Sequence, residues 1–366
     1  MTLKNKVLLT ISGNIPTNLL EDIANGEKPR TDYIEMSKEF GADLIDYQKA
    51  EATTGLVGKV LKKIAGNNIV LAWACFRLRK NYTTIFTDGE QVGLPYALLL
   101  RLFAWNPYHK PSHLMIVHIL STKSKKMMMT LFGLKKHIDQ FLVYSTRQQE
   151  IICQTWNLPK DRVPFTPFMV DQNFFSPEKT EKQPELVGIT DTGKPYICSV
   201  GLEFRDYPTF MEAVDGLDIH IVIAAGSPWS KREDQTKSAE VPNNVTVKRF
   251  TQKELCKLYQ KSSFVVMPLL ENDFQAGITA ILEAMAMEKA IICSRTRGQI
   301  DVIKEGVTGL YVEPHNPEEL KKAIQTLLND KELANEMGRE ARKIIDNEMN
   351  LDTYTKHLNA LIQRSV

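Results

Sequence analysis

A chain of 366 residues with 43% hydrophobic and 25% charged side chains has the composition of a folded globular protein, long enough for two domains with a core each. No run of 18 apolar residues occurs, which excludes a membrane-spanning helix. The five scattered cysteines (Cys75, Cys153, Cys198, Cys256, Cys293), without a C-x-x-C spacing, argue against a disulfide framework or a thiolate metal site.

The first residues, MTLKNKVLLTISGN, carry too short an apolar run for a secretory signal, so residues 7–11 read as a buried strand and the expected compartment is the reducing cytoplasm. That strand runs into Ser12-Gly13-Asn14, a turn at its carboxyl end. A helix follows over 34–40 and a strand over 42–47. Leu56, Val57, Val60, Leu61 and Ile64 then make one apolar helix face with Lys59, Lys62 and Lys63 opposite. The helical pattern runs on to Lys80 and predicts a helix covering a sheet. Strand 84–87 delivers Asp88, Gly89 and Glu90 to the sheet's carboxyl edge, helix 94–103 follows, and strand 114–117 delivers His118 to the same edge. A lone histidine is more often structural than functional. Residues 123–136 alternate lysines with Met127, Met128, Met129 and Phe132, then strand 140–145 and helix 146–156 close the first half. Prolines deny residues 163–177 a regular element, and a charged linker with Gly188 and Gly193 runs to Lys194.

The second half opens with strand 196–200 and the turn Gly201-Leu202-Glu203-Phe204-Arg205-Asp206-Tyr207. Helix 208–214, strand 220–225, a long charged loop over 227–242, strand 245–247, helix 253–261 and strand 263–267 follow. Residues 268–314 then read as loop, helix, strand, glycine loop, short helix and strand, the grammar of an open parallel α/β sheet, in which ligands bind at the carboxyl ends of strands. Gly277 opens a helix with Ile278, Ile281, Leu282 and Met285 on its packed face. Its free amides and dipole suit a phosphate. Glu283, six residues on and about 9 Å along the axis, is spaced to accept hydrogen bonds from a ribose diol. Alone, such a glutamate is usually an ordinary solvated helix residue. Amphipathic helices over 318–329 and 331–346 and a last helix over 351–364 complete the chain.

Residues 268–314 resemble the donor site of retaining glycosyltransferases of family four (glycosyl transferases group 1). There, two glutamates eight positions apart bracket the start of LEAMA, followed by a strand, a glycine loop and an acidic residue before a G-x-x-G turn. Here LEAMA is residues 282–286, the loop runs from Arg297 through Gly298 to Asp301, and the turn from Gly306 to Gly309. The second glutamate is Glu283; the first is replaced by Gln275, with Glu271 and Asp273 close by. Asp171, Phe174 and Pro177 match the family's interdomain segment. Arg205 matches a phosphate-binding lysine. The companion arginine position has no basic residue, leaving Arg295, Arg297, Lys231 and Arg232 as replacements, with Arg297 best placed beside the glycine loop.

The resemblance implies an α/β protein of GT-B architecture, two Rossmann-like parallel-sheet domains facing across a cleft. Residues 1–176, with a helix at about 350–366 packing back, would form the acceptor side, and 177–349 the donor side. It implies transfer of a hexose from a nucleotide-diphosphate sugar, a UDP- or GDP-hexose, with retention, no other cofactor and no required metal. Implied catalytic residues are His118, Arg205, Gln275 and Glu283, with Gly13, Gly201, Ala276, Gly277, Ile278, Arg297 and Gly298 completing the donor's surroundings. Competing readings are an inactive nucleotide-sugar-binding scaffold, motivated by Gln275, and an epimerase or phosphorylase of the same architecture. A dehydrogenase is disfavoured, because no G-x-G-x-x-G follows a predicted strand.

The net charge of +2 hides an asymmetry: residues 55–136 hold thirteen Lys or Arg against two acids, a local +11, and the remainder sums to −9. A glycan or lipid acceptor at an anionic membrane is therefore expected, met through Lys59, Lys62, Lys63, Lys123, Lys125, Lys126, Lys135 and Lys136, with the protein peripheral on the cytoplasmic face. No nucleic-acid motif accompanies the basic tract.

Overall fold

The computed structural model describes residues 6–104, 110–180, 186, 194, 196–225 and 241–365. Lys231, Arg232, Gly188 and Gly193 lie outside the described residues. The chain divides into two compact units: unit 1 is Met1–Leu20, Arg30–Pro167 and Asp352–Val366, and unit 2 is Glu21–Pro29 and Phe168–Leu351.

Unit 1 is built on strands β1 (Val7–Thr10), β2 (Asp43–Ile45), β3 (Thr84–Thr87), β4 (Ser112–Val117) and β5 (Gln140–Val143), all parallel, in the order β2-β1-β3-β4-β5. β1 and β3 are buried at every residue, as central strands covered on both faces must be. Its helices are α1 (Leu19–Ala24, shared with unit 2), α2 (Asp32–Phe40), α3 (Tyr47–Ala65), α4 (Asn67–Leu78), α5 (Glu90–Phe103), α6 (Lys123–Leu131) and α7 (Thr146–Trp156). Asp46, read as part of a strand, instead caps α3, its carboxylate accepting from the Lys49 amide at 2.8 Å. Within this unit the last helix is held by an Arg30–Asp352 ion pair at 2.8 Å and by the Tyr144 and Tyr354 hydroxyls, 3.0 Å apart.

Two expectations fail here for identifiable reasons. The helix expected to run unbroken from Leu56 to Lys80 is interrupted at Gly66 (φ +85°), where α3 ends and α4 begins. The apolar face expected against the sheet is turned outward instead: Leu56 is 81% exposed and Ile64 78%. α4 lies against α3 and occupies the core with Val70, Leu71, Ala74 and Cys75, so the sheet is already covered. Gly58 leaves room for Thr54 one turn earlier on α3, whose Oγ1 would fall 1.8 Å from a Cβ there.

Unit 2 contains β6 (Tyr196–Val200), β7 (His220–Ala224), β8 (Val245–Lys248), β9 (Val265–Met267), β10 (Ile291–Ser294) and β11 (Gly309–Val312), parallel in the order β11-β10-β9-β6-β7-β8. Its helices are α8 (Pro177–Thr180), α9 (Tyr207–Val214), α10 (Gln252–Lys261), α11 (Ile278–Ala286), α12 (Pro317–Asn329) and α13 (Lys331–Asn347), and α14 (Leu351–Ser365) ends the chain. A capping box between Thr251 and Glu254 starts α10, and the Asp206 carboxylate caps α9. One core layer packs α10, α11 and α13 on one face of the sheet, and another packs α9 and α12 on the opposite face. The short helix expected between the glycine loop and the last strand is absent: Gly306 (φ +72°) closes a turn whose amide donates to Gly309 O at 2.8 Å.

In each sheet the strand order reverses once, between β1 and β3 in unit 1 and between β6 and β9 in unit 2. Such a reversal leaves a crevice at the strands' carboxyl ends, because successive connections depart to opposite sides.

Candidate functional site

The crevice of unit 2 is framed by the turns after β6 and β9. Arg205 forms an isolated antiparallel bridge with Leu269, and the amides of Asp206 and Leu270 donate across to Pro268 O and Phe204 O, each at 2.9 Å. The two turns are thereby one rigid rim. Phe204 holds a left-handed φ of +53° there, a strained conformation for a bulky residue, with its ring edge-on to Phe274 at 5.0 Å.

Arg205 is only 4% exposed. Its Nε and Nη2 donate to Val200 O at 3.0 and 2.8 Å and its Nη1 to Glu203 O at 2.7 Å, and no carboxylate among the described residues forms an ion pair with it. Burial pulls the guanidinium below its usual range. A guanidinium carries five donors, so two remain. They lie at the start of α11: a Cβ on Gly277 would sit 3.1 Å from both Nη1 and Nη2. Gly277 has φ +76° and leaves the helix without a side-chain cap, so the first amides of α11 and a buried, unneutralised cation converge. Such a pair calls for an anion.

Glu283, two turns along α11, is 7% exposed; its Oε2 accepts from the Tyr259 hydroxyl at 2.8 Å. Burial pushes its carboxyl up to about 7 despite that hydrogen bond. Tyr259, the partner of Glu283, carries no signature in the sequence: it lies 24 residues upstream, on α10, in a run that reads as core.

The glycine loop after β10 packs against the segment that carries Gln275. Gly298 donates to Asn272 O at 3.0 Å, and a Cβ on it would lie 2.2 Å from Phe274 O. Gly298→Ala is therefore expected to force the two segments apart, lowering stability by about 1–3 kcal/mol, measured by urea unfolding. Gln275 Oε1, Thr296 Oγ1 and both amide atoms of Gln299 are buried here without a partner among the described residues, as in a site that completes its hydrogen bonds with a ligand or water. Arg297 is 62% exposed at its side chain and already bound, its Nε 3.1 Å from Glu271 and 3.6 Å from Asp273. The two acids near Gln275 thus neutralise the best-placed replacement cation.

In unit 1 the reversal point carries Gly13 and Asp88. Asp88 accepts from Thr10 Oγ1 at 2.6 Å and from the Ser12 amide and hydroxyl, and burial raises its carboxyl above the usual range. His118 is exposed, with Nε2 3.0 Å from Asp88 O and its amide donating to Glu90 at 3.0 Å. Gly13 and His118 belong to unit 1, and Gly201, Arg205, Gln275, Ala276, Gly277, Ile278, Glu283, Arg297 and Gly298 to unit 2.

The expected lipid-facing lysines divide. Lys125 is not available: its Nζ lies 2.6 Å from Glu90, a carboxylate 1% exposed at its side chain, and 2.9 Å from Ile119 O. A buried carboxylate requires such a counter-charge. Lys135 donates to Trp156 O at 2.8 Å and Met129 is fully buried, so part of the tract is core structure. Lys59, Lys63, Lys123 and Lys136 are exposed, as are Met127 and Phe132.

Residues 190–344 match the family glycosyl transferases group 1, a stretch covering most of unit 2. An uncharacterized glycosyltransferase of Methanocaldococcus jannaschii is 27% identical over 232 residues, 59% of this chain and 58% of that protein. The alpha-D-kanosaminyltransferase of Streptomyces kanamyceticus is 26% identical over 212 residues, 55% and 54% of the two chains. The chain thus spans little more than half the length of these curated relatives. HepE of Anabaena, solved in complex with UDP-glucose, superposes with a TM-score of 0.70 at 13% identity, over 99% of this chain and all of that one. The fold is accordingly GT-B, two Rossmann-like parallel-sheet units.

Proposed function

We propose that the protein is a glycosyltransferase that takes a hexose from a nucleoside-diphosphate sugar and passes it, with retention, to an acceptor at a membrane surface. One observation carries the donor half: a buried arginine without a carboxylate partner among the described residues, set beside an uncapped helix N-terminus, with a buried carboxylate about 9 Å farther along that helix. Arg205 and the amides after Gly277 take the diphosphate, Glu283 takes the ribose hydroxyls, and Gln275 with Ala276 meets the sugar. Charge developing on the departing diphosphate is stabilised by a preorganised cation and helix end in a dry crevice, where such interactions are strongest. Arg297 joins only if the phosphate displaces Glu271 and Asp273. In unit 1, His118 is the catalytic candidate and Gly13 the donor-contacting one, both by resemblance to the family. The match over unit 2 and the donors seen in similar folds support this reading.

The test is a screen of UDP-, GDP- and ADP-hexoses for thermal stabilisation, followed by release of the nucleoside diphosphate. A donor at 100 times its dissociation constant adds about 2.7 kcal/mol. Stabilisation by none of them contradicts the proposal. Gln275 in place of a carboxylate supports a second reading, a scaffold that binds nucleotide sugars without turnover, and release of diphosphate separates the two. Gln275→Ala is expected to slow turnover about tenfold while leaving affinity for the free nucleoside diphosphate within about twofold, since its contact is with the sugar.

A further inference from the structure

α3 is two helical segments joined at Gly55, whose φ of +59° and ψ of −136° are non-helical. In an unbroken helix Glu51 and Lys62 would stand about 16 Å apart along the axis. Their ion pair closes at 2.6 Å because the chain folds at Gly55. On the inside of the fold lie two adjoining openings that share Gln48 and Glu51. One, about 180 Å³, adds Asn14, Tyr47, Lys62 and Asn67. The other, about 500 Å³, runs past Gly55 to Lys59. Lys62 is paired with Glu51 and the Tyr47 hydroxyl donates to Asn68 Oδ1 at 2.6 Å, so the lining offers amide groups and the Lys59 ammonium, a set suited to a hydroxylated anion.

The segment beyond the bend presents Leu56, Val57, Val60 and Ile64 to solvent at 81, 52, 57 and 78% exposure. Leu56, Val60 and Ile64 recur every four residues and form one stripe, flanked by Lys59 and Lys63. From residue 52 to residue 87 the chain has six Lys or Arg and no acid. An apolar stripe edged by lysines in a stretch free of acids is complementary to an anionic bilayer, with the stripe among acyl chains and the ammonium groups at head-group level. A soluble acceptor needs the groove but leaves the stripe without purpose.

We propose that the groove at the α3 bend holds the hydroxylated, anionic headgroup of a membrane amphiphile, the acceptor class for the reaction above, while the stripe beyond Gly55 lies in the bilayer that carries it. This rests on the transferase reading for the word acceptor, and on the α3 bend with its neighbours Asn14 and Asn67 for the binding. Co-sedimentation with vesicles of phosphatidylglycerol in phosphatidylcholine, and of phosphatidylcholine alone, tests it. The wild type is expected to prefer the anionic vesicles about tenfold or more. The variant Leu56→Ser, Val60→Ser, Ile64→Ser should bind either vesicle about a hundredfold less. The variant Gln48→Ala, Lys59→Gln should keep weak binding and lose the preference. Lys123→Gln with Lys136→Gln, away from α3, should change affinity about twofold at most. Undiminished binding of the stripe variant, or an intact anionic preference in the groove variant, overturns the proposal. So does a concentration-dependent dimer abolished by the stripe variant, which would assign the stripe to a second copy. Nucleotide-sugar stabilisation measured on the same samples reports on unit 2: its loss refutes the transferase reading, whereas its persistence without vesicle binding refutes this inference alone.

Discussion

Arg205→Met is expected to weaken binding of a nucleoside diphosphate about a hundredfold while leaving affinity for the corresponding nucleoside within about twofold. Charge-assisted hydrogen bonds contribute about 1.5–3 kcal/mol each, and Arg205 has two free donors at the helix end, so about 3 kcal/mol, or roughly a hundredfold, is at stake. The comparison with the nucleoside matters because Arg205 also satisfies Val200 O and Glu203 O. A variant that merely loosened the rim would weaken both ligands alike. Arg205→Lys should recover part of the diphosphate affinity, since a point charge remains but the fork geometry is lost. Isothermal titration reads all three. Equal losses for diphosphate and nucleoside would make Arg205 a structural residue only.

Glu283→Gln is expected to lower kcat/KM for the donor about a hundredfold and at the same time stabilise the ligand-free protein above neutral pH. The amide oxygen can still accept from Tyr259, but the other atom becomes a donor facing hydroxyls that must donate. The stability sign follows from the raised carboxyl. Its folded value is about 7 against 4.5 for the ordinary group, so the native state holds the proton more tightly. The resulting cost is absent below about pH 4.5, grows between there and pH 7 and is full above, on the order of 3 kcal/mol. Glutamine removes it. Donor affinity of the wild type should correspondingly fall as pH drops through about 7, as the acceptor carboxylate becomes protonated. Thermal melts and donor titrations from pH 5 to 9 check both signs. A variant no more stable than wild type at pH 8, with unchanged turnover, contradicts the role assigned to Glu283.

How far these residues could be read beforehand depended on the range of the forces placing them. The strands were legible because burial on both faces leaves continuous apolar runs such as residues 114–117 and 265–267. Gly277 and Glu283 were legible because their separation along one helix is local geometry. The direction of an apolar stripe was not: residues 56–64 have the same period whether they face the sheet or water, and only the insertion of α4 decides. Lys125 read as one more surface lysine, because its partner Glu90 lies 35 residues away across β4. A separation of 24 residues likewise hid Tyr259 from Glu283. That no carboxylate among the described residues pairs with Arg205 is also a tertiary fact, and the proposed anion site rests on it.

The measurement that bears most directly on the donor site is a crystal structure of the protein grown with UDP or GDP. The diphosphate is expected against the first amides of α11 and the Arg205 guanidinium, with both ribose hydroxyls within hydrogen-bond distance of Glu283. A nucleotide seated away from α11, or one whose ribose does not reach Glu283, would contradict it.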